Sequence, residues 1–340
     1  MSSPRPSRLP VIFGCAGTSL ERAERAFFRE IRPAGFILFQ RNCENPEQVR
    51  RLVDQLRDAG GWDDAPVLID QEGGRVCRLR PPVWRRTPPA SAFGALARED
   101  LDLALEAARA NARLTAADLH DVGISVNCAP VLDVPGPRMT EAIGDRAFGG
   151  DPEIVARLGR AVCEGLMAGG ALPVIKHLPG HGRATVDSHH ALPRVEASRA
   201  ELDAVDFAPF RALATMPIAM TAHLLYSAID PDRPATHSAV VIDEVIRREI
   251  GYQGLLLSDD ISMQALSGDL TTRARRALGA GCDIVLHCTG VLGEMAEVAA
   301  VAPAMSEETW ERLQRAMATR RPPDEVDRRQ LAARLAELLA

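Results

Sequence analysis

Residues 174–190, VIKHLPGHGRATVDSHH, gather side chains that can move protons or hold polar ligands. Four of the eight histidines, His177, His181, His189 and His190, fall in this stretch, as does Lys176, the one lysine in a chain with 39 arginines. An ammonium is a compact, strongly hydrated point charge, whereas a guanidinium is a planar fork suited to carboxylate or phosphate. A lysine kept at this one place reads as a donor to hydroxyls in a tight space, set against the plain alternative that a single lysine must fall somewhere. Asp187 and His189 flank Ser188, so a carboxylate can orient an imidazole and tune it as a proton shuttle, although a lone D-x-H is a weak signal. Asp259 ends the apolar run LLLS and is either a cap on the next segment or a nucleophile. The histidines and Asp187 also raise the prospect of a divalent metal. Spacing counts against it. Pro179, Gly180 and Gly182 break any helix on which His177 and His181 would share a face, and no H-x-H ends the first strand, where the chain has Phe13-Gly14-Cys15.

The elements that must position these groups recur regularly. Apolar runs at 9–14, 35–40, 66–70, 124–133, 172–177, 217–223, 254–260 and 283–288 are each followed by a longer segment of helical spacing, such as PEQVRRLVDQLRDAG or DPEIVARLGRAVCEGLMAGG. Strands apolar throughout are buried on both faces, as in a parallel sheet covered by helices. Eight such units predict an α/β fold, a single (β/α)₈ barrel, over an open sheet, whose G-x-G-x-x-G fingerprint VIFGCAGTS lacks. Active sites of these barrels lie at the carboxyl ends of the strands. There the chain places Gln40-Arg41-Asn42, Asp70-Gln71-Glu72, Asp133, Lys176-His177, His223, Asp259-Asp260 and His287. We read one catalytic domain over 1–340, with the barrel at about 9–300 and a helical tail at 302–340 packed on it. The arginine- and proline-rich 78–94 reads as an irregular loop lining the site. Asn127 and Asp133 read as supports of the barrel rim and Asp260 as an aid in positioning Asp259, while His223 and His287 receive no role.

Composition excludes several classes. A net charge of −6 gives no support to nucleic-acid binding, and no apolar run is long enough to span a membrane. Seven cysteines, scattered and without a C-x-x-C pair, read as reduced thiols in the cytoplasm. The opening MSSPRPSRLPVIFGCAG imitates a secretion signal, but its apolar core, Leu9 to Phe13, is too short.

Taken together, these motifs resemble glycoside hydrolase family 3. KHLPGHGRATVDSHH is similar to the family's K-H-[FL]-P-G-H-G-x(4)-D-S-H signature and LLLSDDISM to its strand-end nucleophile motif. DQEGGRVCR (70–78), NCAPVLDV (127–134), IGDRAFG (143–149) and MTAHLLYSAIDPDRPAT (220–236) match further segments in order. The likeness runs from about residue 9 to 300 and is nearest to the single-domain β-N-acetylglucosaminidases of bacterial cell-wall recycling. Cys77 stands where the family often has glutamine and Leu178 where it often has phenylalanine. The resemblance implies a retaining exo-glycosidase acting on N-acetylglucosamine glycosides of peptidoglycan fragments, without cofactor or metal. Asp259 would be the nucleophile, His189 the acid/base and Asp187 its partner, while Asp70, Arg78, Arg146, Lys176 and His177 would hold the sugar. The same residues leave room for phosphorolysis or for a non-catalytic sugar sensor. Oligomeric state is not legible.

Overall fold

The computed structural model describes residues 8–136, 143–184, 186, 188 and 191–340. Eight parallel strands, β1 (Leu9–Phe13), β2 (Pro33–Leu38), β3 (Val67–Ile69), β4 (Val126–Asn127), β5 (Leu172–Leu178), β6 (Ile218–Thr221), β7 (Leu255–Asp260) and β8 (Ile284–His287), close into a barrel in chain order. All eight runs picked out in the sequence supply a strand. Alternation explains why these runs are apolar throughout. Leu255 and Leu257 of β7 and Ile284 and Leu286 of β8 fill the barrel, while Leu256 and Val285 between them face the surrounding helices.

Two local readings needed correction. The run 124–133 forms a regular strand only at Val126–Asn127, because Pro130 has no N–H to give to the ladder. Pairing resumes as a single bridge from Val131 to Lys176. The segment 78–94 is irregular only to Pro89, where the helix Ala90–Ala97 begins, and Arg78 is its one residue on the main cavity. The alanines of ASAFGALA favour helix once the prolines are passed.

The helices start where the sequence offers caps. Asn45, Asp151 and Asp269 each accept a backbone N–H in the first turn of the helix that follows, and proline opens two of these helices at Pro46 and Pro152. The tail helix Glu307–Ala318 closes the amino-terminal end of the barrel, where Leu313, Ala316 and Met317 join the interior core and Trp310 lies 5.7 Å from Trp62. The last helix, Arg328–Leu338, packs on Leu101–Asp121 with Arg334 paired to Glu106 at 2.7 Å. Among the described residues no helix is long and apolar enough to cross a membrane.

Asp283 fastens the tail to the barrel. Its carboxylate is 2.7 Å from Arg312 of the tail helix and 2.8 Å from Arg247, and it accepts the Leu256 N–H at 2.8 Å. Asp283→Ala would leave Arg247 with only the backbone carbonyls of Tyr252 and Gly254, Arg312 with only the exposed Glu308, and the buried Leu256 N–H without its acceptor. It is expected to lower unfolding stability by about 3–5 kcal/mol in urea denaturation, and a loss no larger than that of an exposed ion pair would refute this role.

Candidate active site

The carboxyl ends of the strands converge on a cavity of about 270 Å³, lined among others by Asp70, Glu72, Arg78, Arg146, Lys176, His177, His181 and Asp259. Five of these form one buried ionic cluster. Lys176, whose side chain is 3% exposed, lies 3.0 Å from Asp70 Oδ1 and 2.7 Å from Glu72 Oε1. Arg78 meets the other oxygen of Asp70 at 2.9 Å, and Arg146 grips Glu72 through two N–H groups, each at 2.8 Å. A compact ammonium fits between two carboxylates where a planar fork would not, which is the physical reason for one lysine in a chain of arginines.

Charge states follow from the pairing. Burial alone would raise the Asp70 carboxyl, but Lys176 and Arg78 hold it well below the usual range. Burial likewise opposes ionisation of Glu72, yet Arg146 and Lys176 bring it down to about 2. Lys176 is raised because its two carboxylates outweigh desolvation. With three cations against two carboxylates, the cluster offers both donors and acceptors to a ligand rich in hydroxyls.

Backbone geometry carries these side chains to the mouth. Gln71 braces the end of β3. Its backbone N–H and C=O exchange hydrogen bonds of 3.0 Å with the Asn127 side-chain amide, and its own side chain accepts the N–H groups of Arg78 and Leu79 at 2.9 and 3.0 Å. Lys176 and His177, at the end of β5, both line the cavity, and the peptide between them is cis. Beyond them, Gly182 packs so closely that a Cβ would lie 1.9 Å from the Val134 carbonyl oxygen, and Gly180 adopts φ +138°. Close approach at Gly182 and the left-handed φ at Gly180 account for these glycines.

On the opposite wall, Asp259 Oδ1 accepts the Asp260 N–H at 2.8 Å. The Asp260 carboxylate is spent on Ser262, at 2.6 Å to the hydroxyl and 3.0 Å to the N–H, and on the Cys288 N–H at 3.3 Å. Burial pushes the Asp259 carboxyl up, but His223, His177, the Asp260 N–H and Lys176 together bring it below its ordinary value, so it is ionised at neutral pH. His223 is fully buried, with Nε2 2.9 Å from the Asp260 carbonyl oxygen and Nδ1 2.8 Å from the Thr236 hydroxyl. His181 lies 3.3 Å from the Ser188 hydroxyl, and burial lowers it to about 4, leaving it neutral. Asp187 and His189 lie outside the described residues. Six of the eight site residues singled out in the sequence therefore line one cavity: Asp70, Arg78, Arg146, Lys176, His177 and Asp259. Among the described residues no group of three or more histidine, cysteine or acidic side chains is arranged to hold a metal ion.

Sequence reasoning missed Glu72 and His181 and undervalued Asp133. Glu72 stood in view beside Asp70, where three polar residues in succession end a strand. Asp133, read as a rim support, lies 2.7 Å from the His177 ring. Nothing in its own surroundings in the sequence pointed to that histidine.

The chain matches the family model described as glycosyl hydrolase family 3 N terminal domain over residues 13–319, which reaches further towards the carboxyl end than the resemblance seen in the sequence. It is similar to a β-hexosaminidase of Alkalilimnicola ehrlichii, at 42% identity over 82% of this chain and 80% of that protein. Among solved structures it is similar to native NagZ from Neisseria gonorrhoeae, with a TM-score of 0.88 at 31% identity over 99% of this chain and 100% of that one. The same Neisseria protein in complex with N-trifluoroacetyl-D-glucosamine matches with a TM-score of 0.86 at 31% identity, covering 99% of each chain.

The ionised carboxylates give a pH prediction. Glu72 and Asp133 both fall to about 2 in the folded chain, from ordinary values of 4.5 and 3.8. The unfolded chain therefore takes up protons first, and their contribution to stability, complete above about pH 5, drains away as pH falls towards 2. The urea midpoint is expected to drop steeply across that window, and the drop should be shallower in Glu72→Gln. An unchanged slope in that variant would contradict the pairing.

Proposed function

Since this chain belongs to glycosyl hydrolase family 3 and is a glycoside hydrolase, we propose that it is a retaining exo-β-N-acetylglucosaminidase acting on peptidoglycan fragments in the cytoplasm. The substrate is a non-reducing terminal N-acetylglucosamine joined to 1,6-anhydro-N-acetylmuramic acid, with or without peptide. The observation that carries this reading is the placement of one ionised carboxylate, Asp259, across a small cavity from a buried cluster of hydroxyl-binding charges. At about 270 Å³ the cavity falls below the range of sites that enclose drug-sized ligands and suits a single sugar ring. The β-hexosaminidase relative and the glucosamine derivative held by the Neisseria protein support the N-acetyl sugar.

In this mechanism Asp70, Arg78, Arg146, Lys176 and His177 hold the ring. Asp259 attacks the anomeric carbon through the oxygen not held by Asp260, forming a glycosyl-enzyme, while His189, supported by Asp187, gives its proton to the departing oxygen. His189 then takes a proton from water, whose oxygen displaces Asp259. Retaining glycosidases ordinarily use two carboxyl groups for these tasks. An imidazole that titrates near neutral pH serves as both acid and base and does not repel the anionic nucleophile.

The test is hydrolysis of a chromogenic β-N-acetylglucosaminide, with the β-glucoside as control and anomeric configuration followed by NMR. Wild type is expected to retain configuration and to prefer the N-acetyl substrate. Asp259→Ala should lose at least ~10³-fold in kcat, in line with removal of a covalent nucleophile. His189→Ala should lose less on substrates whose leaving group needs no proton. An inverted product, or full activity in Asp259→Ala, would sink the assignment.

A further inference from the structure

Asp133 is fully buried beneath the cavity, yet the chemistry proposed above gives it no part. A carboxylate is costly to withdraw from water unless it is well paired, so its partners show what it does. All three come from one short stretch. Oδ1 accepts the His181 N–H at 2.6 Å and the His177 N–H at 3.2 Å, and Oδ2 lies 2.7 Å from His177 Nδ1. Two backbone donors on Oδ1 prevent the carboxylate from turning, which keeps Oδ2 directed at the ring.

Donor and acceptor bookkeeping then fixes which ring nitrogen carries the proton of that contact. An ionised carboxylate is an acceptor only, so Nδ1 must carry the proton of the shared hydrogen bond. Nε2, on the far side of the ring, is left to the cavity that His177 lines. In a neutral imidazole with its proton on Nδ1, Nε2 is an acceptor. We infer that Asp133 is a positioning residue that fixes the tautomer of His177, so that its Nε2 accepts a hydrogen bond from one hydroxyl of the bound sugar. Lys176, next in the chain, is an obligate donor. The pair thus presents one donor and one acceptor from adjacent positions, a pattern that favours a sugar with suitably spaced hydroxyls over one lacking them. The inference rests on the reading of His177 as a sugar ligand.

Asp133→Asn isolates the effect. Asparagine keeps an oxygen for the two backbone N–H groups but sets an NH₂ against Nδ1, so the ring must move its proton to Nε2 and face the cavity as a donor. With the chromogenic β-N-acetylglucosaminide, kcat/KM is expected to fall about 10- to 100-fold, mainly through KM, as for a buried hydrogen bond left mismatched. In a His177→Ala background the same substitution should cost less than about 2-fold, because its effect passes through the ring. Nitrogen NMR of labelled histidine, with His177 assigned by its loss in His177→Gln, should show the proton on Nδ1 in wild type and on Nε2 in Asp133→Asn. Additive losses in the double variant, or a wild-type ring that carries a proton on Nε2, with or without one on Nδ1, would overturn the inference. Should Asp133→Asn fail to fold, the wild-type spectrum decides. If His177→Ala keeps full kcat/KM, His177 is not a sugar ligand and the acceptor role falls with it, whereas the tautomer is judged on the spectrum alone.

Discussion

Lys176 is held between Asp70 and Glu72, and much of the geometry of the site follows from that contact. Three charges at this depth are tolerable only while each is paired, since the loss of one would leave the others buried and uncompensated. The pairing joins the end of β3 to the end of β5 across the barrel mouth. Arg78, further along the segment that follows β3, and Arg146, on the segment that follows β4, are then drawn in by the same two carboxylates. Loops with little regular structure of their own are thus ordered by charge. The same charges are what a hydroxyl-rich ligand would meet.

The barrel makes this arrangement possible by separating two tasks. Its amino-terminal end is sealed by apolar packing, where the tail helix places Leu313 and Met317 beneath the strands and Asp283 ties Arg312 and Arg247 together. Its carboxyl-terminal end is left to polar side chains. Parallel strands orient every residue at a strand end the same way, so a few substitutions there change chemistry without disturbing the core. Within a single strand the change is abrupt. Val174 is core, and Lys176, two positions on and facing the same side, belongs to the site.

What was legible in the sequence was what depends on local order along the chain. All eight strands could be found because each lies in a mainly apolar run, and the helix at Pro46–Gly60 because a cap and a proline open it. Lys176 stood out through composition and Asp259 through its place at the end of LLLS. What escaped depends on contacts between distant segments. Glu72 matters because Arg146 reaches it from 74 residues away and Asp133 because His177 lies 44 residues on, and neither pairing leaves a trace in the spacing. The cis bond at Pro130 and the helix beginning at Ala90 were missed for a related reason. Proline signals an interruption without saying whether the chain resumes its strand, turns, or starts a helix.

The same depth of burial produces opposite charge states in neighbouring groups, and the proposed displacement at a sugar's anomeric carbon would draw on that contrast. Asp70, Glu72, Asp133 and Asp259 are all pushed by desolvation towards the neutral form, and in each case cationic or N–H partners reverse the push. His181 is subject to the same desolvation without enough opposing charge, and stays neutral. The cavity wall is therefore a fixed pattern of full charges and oriented neutral dipoles before any ligand arrives. Partners already in place need not reorganise as charge develops on a reacting ligand, which is where preorganised electrostatics lowers a barrier most. The proposed nucleophile is also the least encumbered of the four acids. Asp70, Glu72 and Asp133 are each locked by ion pairs or multiple hydrogen bonds, whereas Asp259 accepts one backbone N–H among the described residues, which leaves its second oxygen for the attack proposed above.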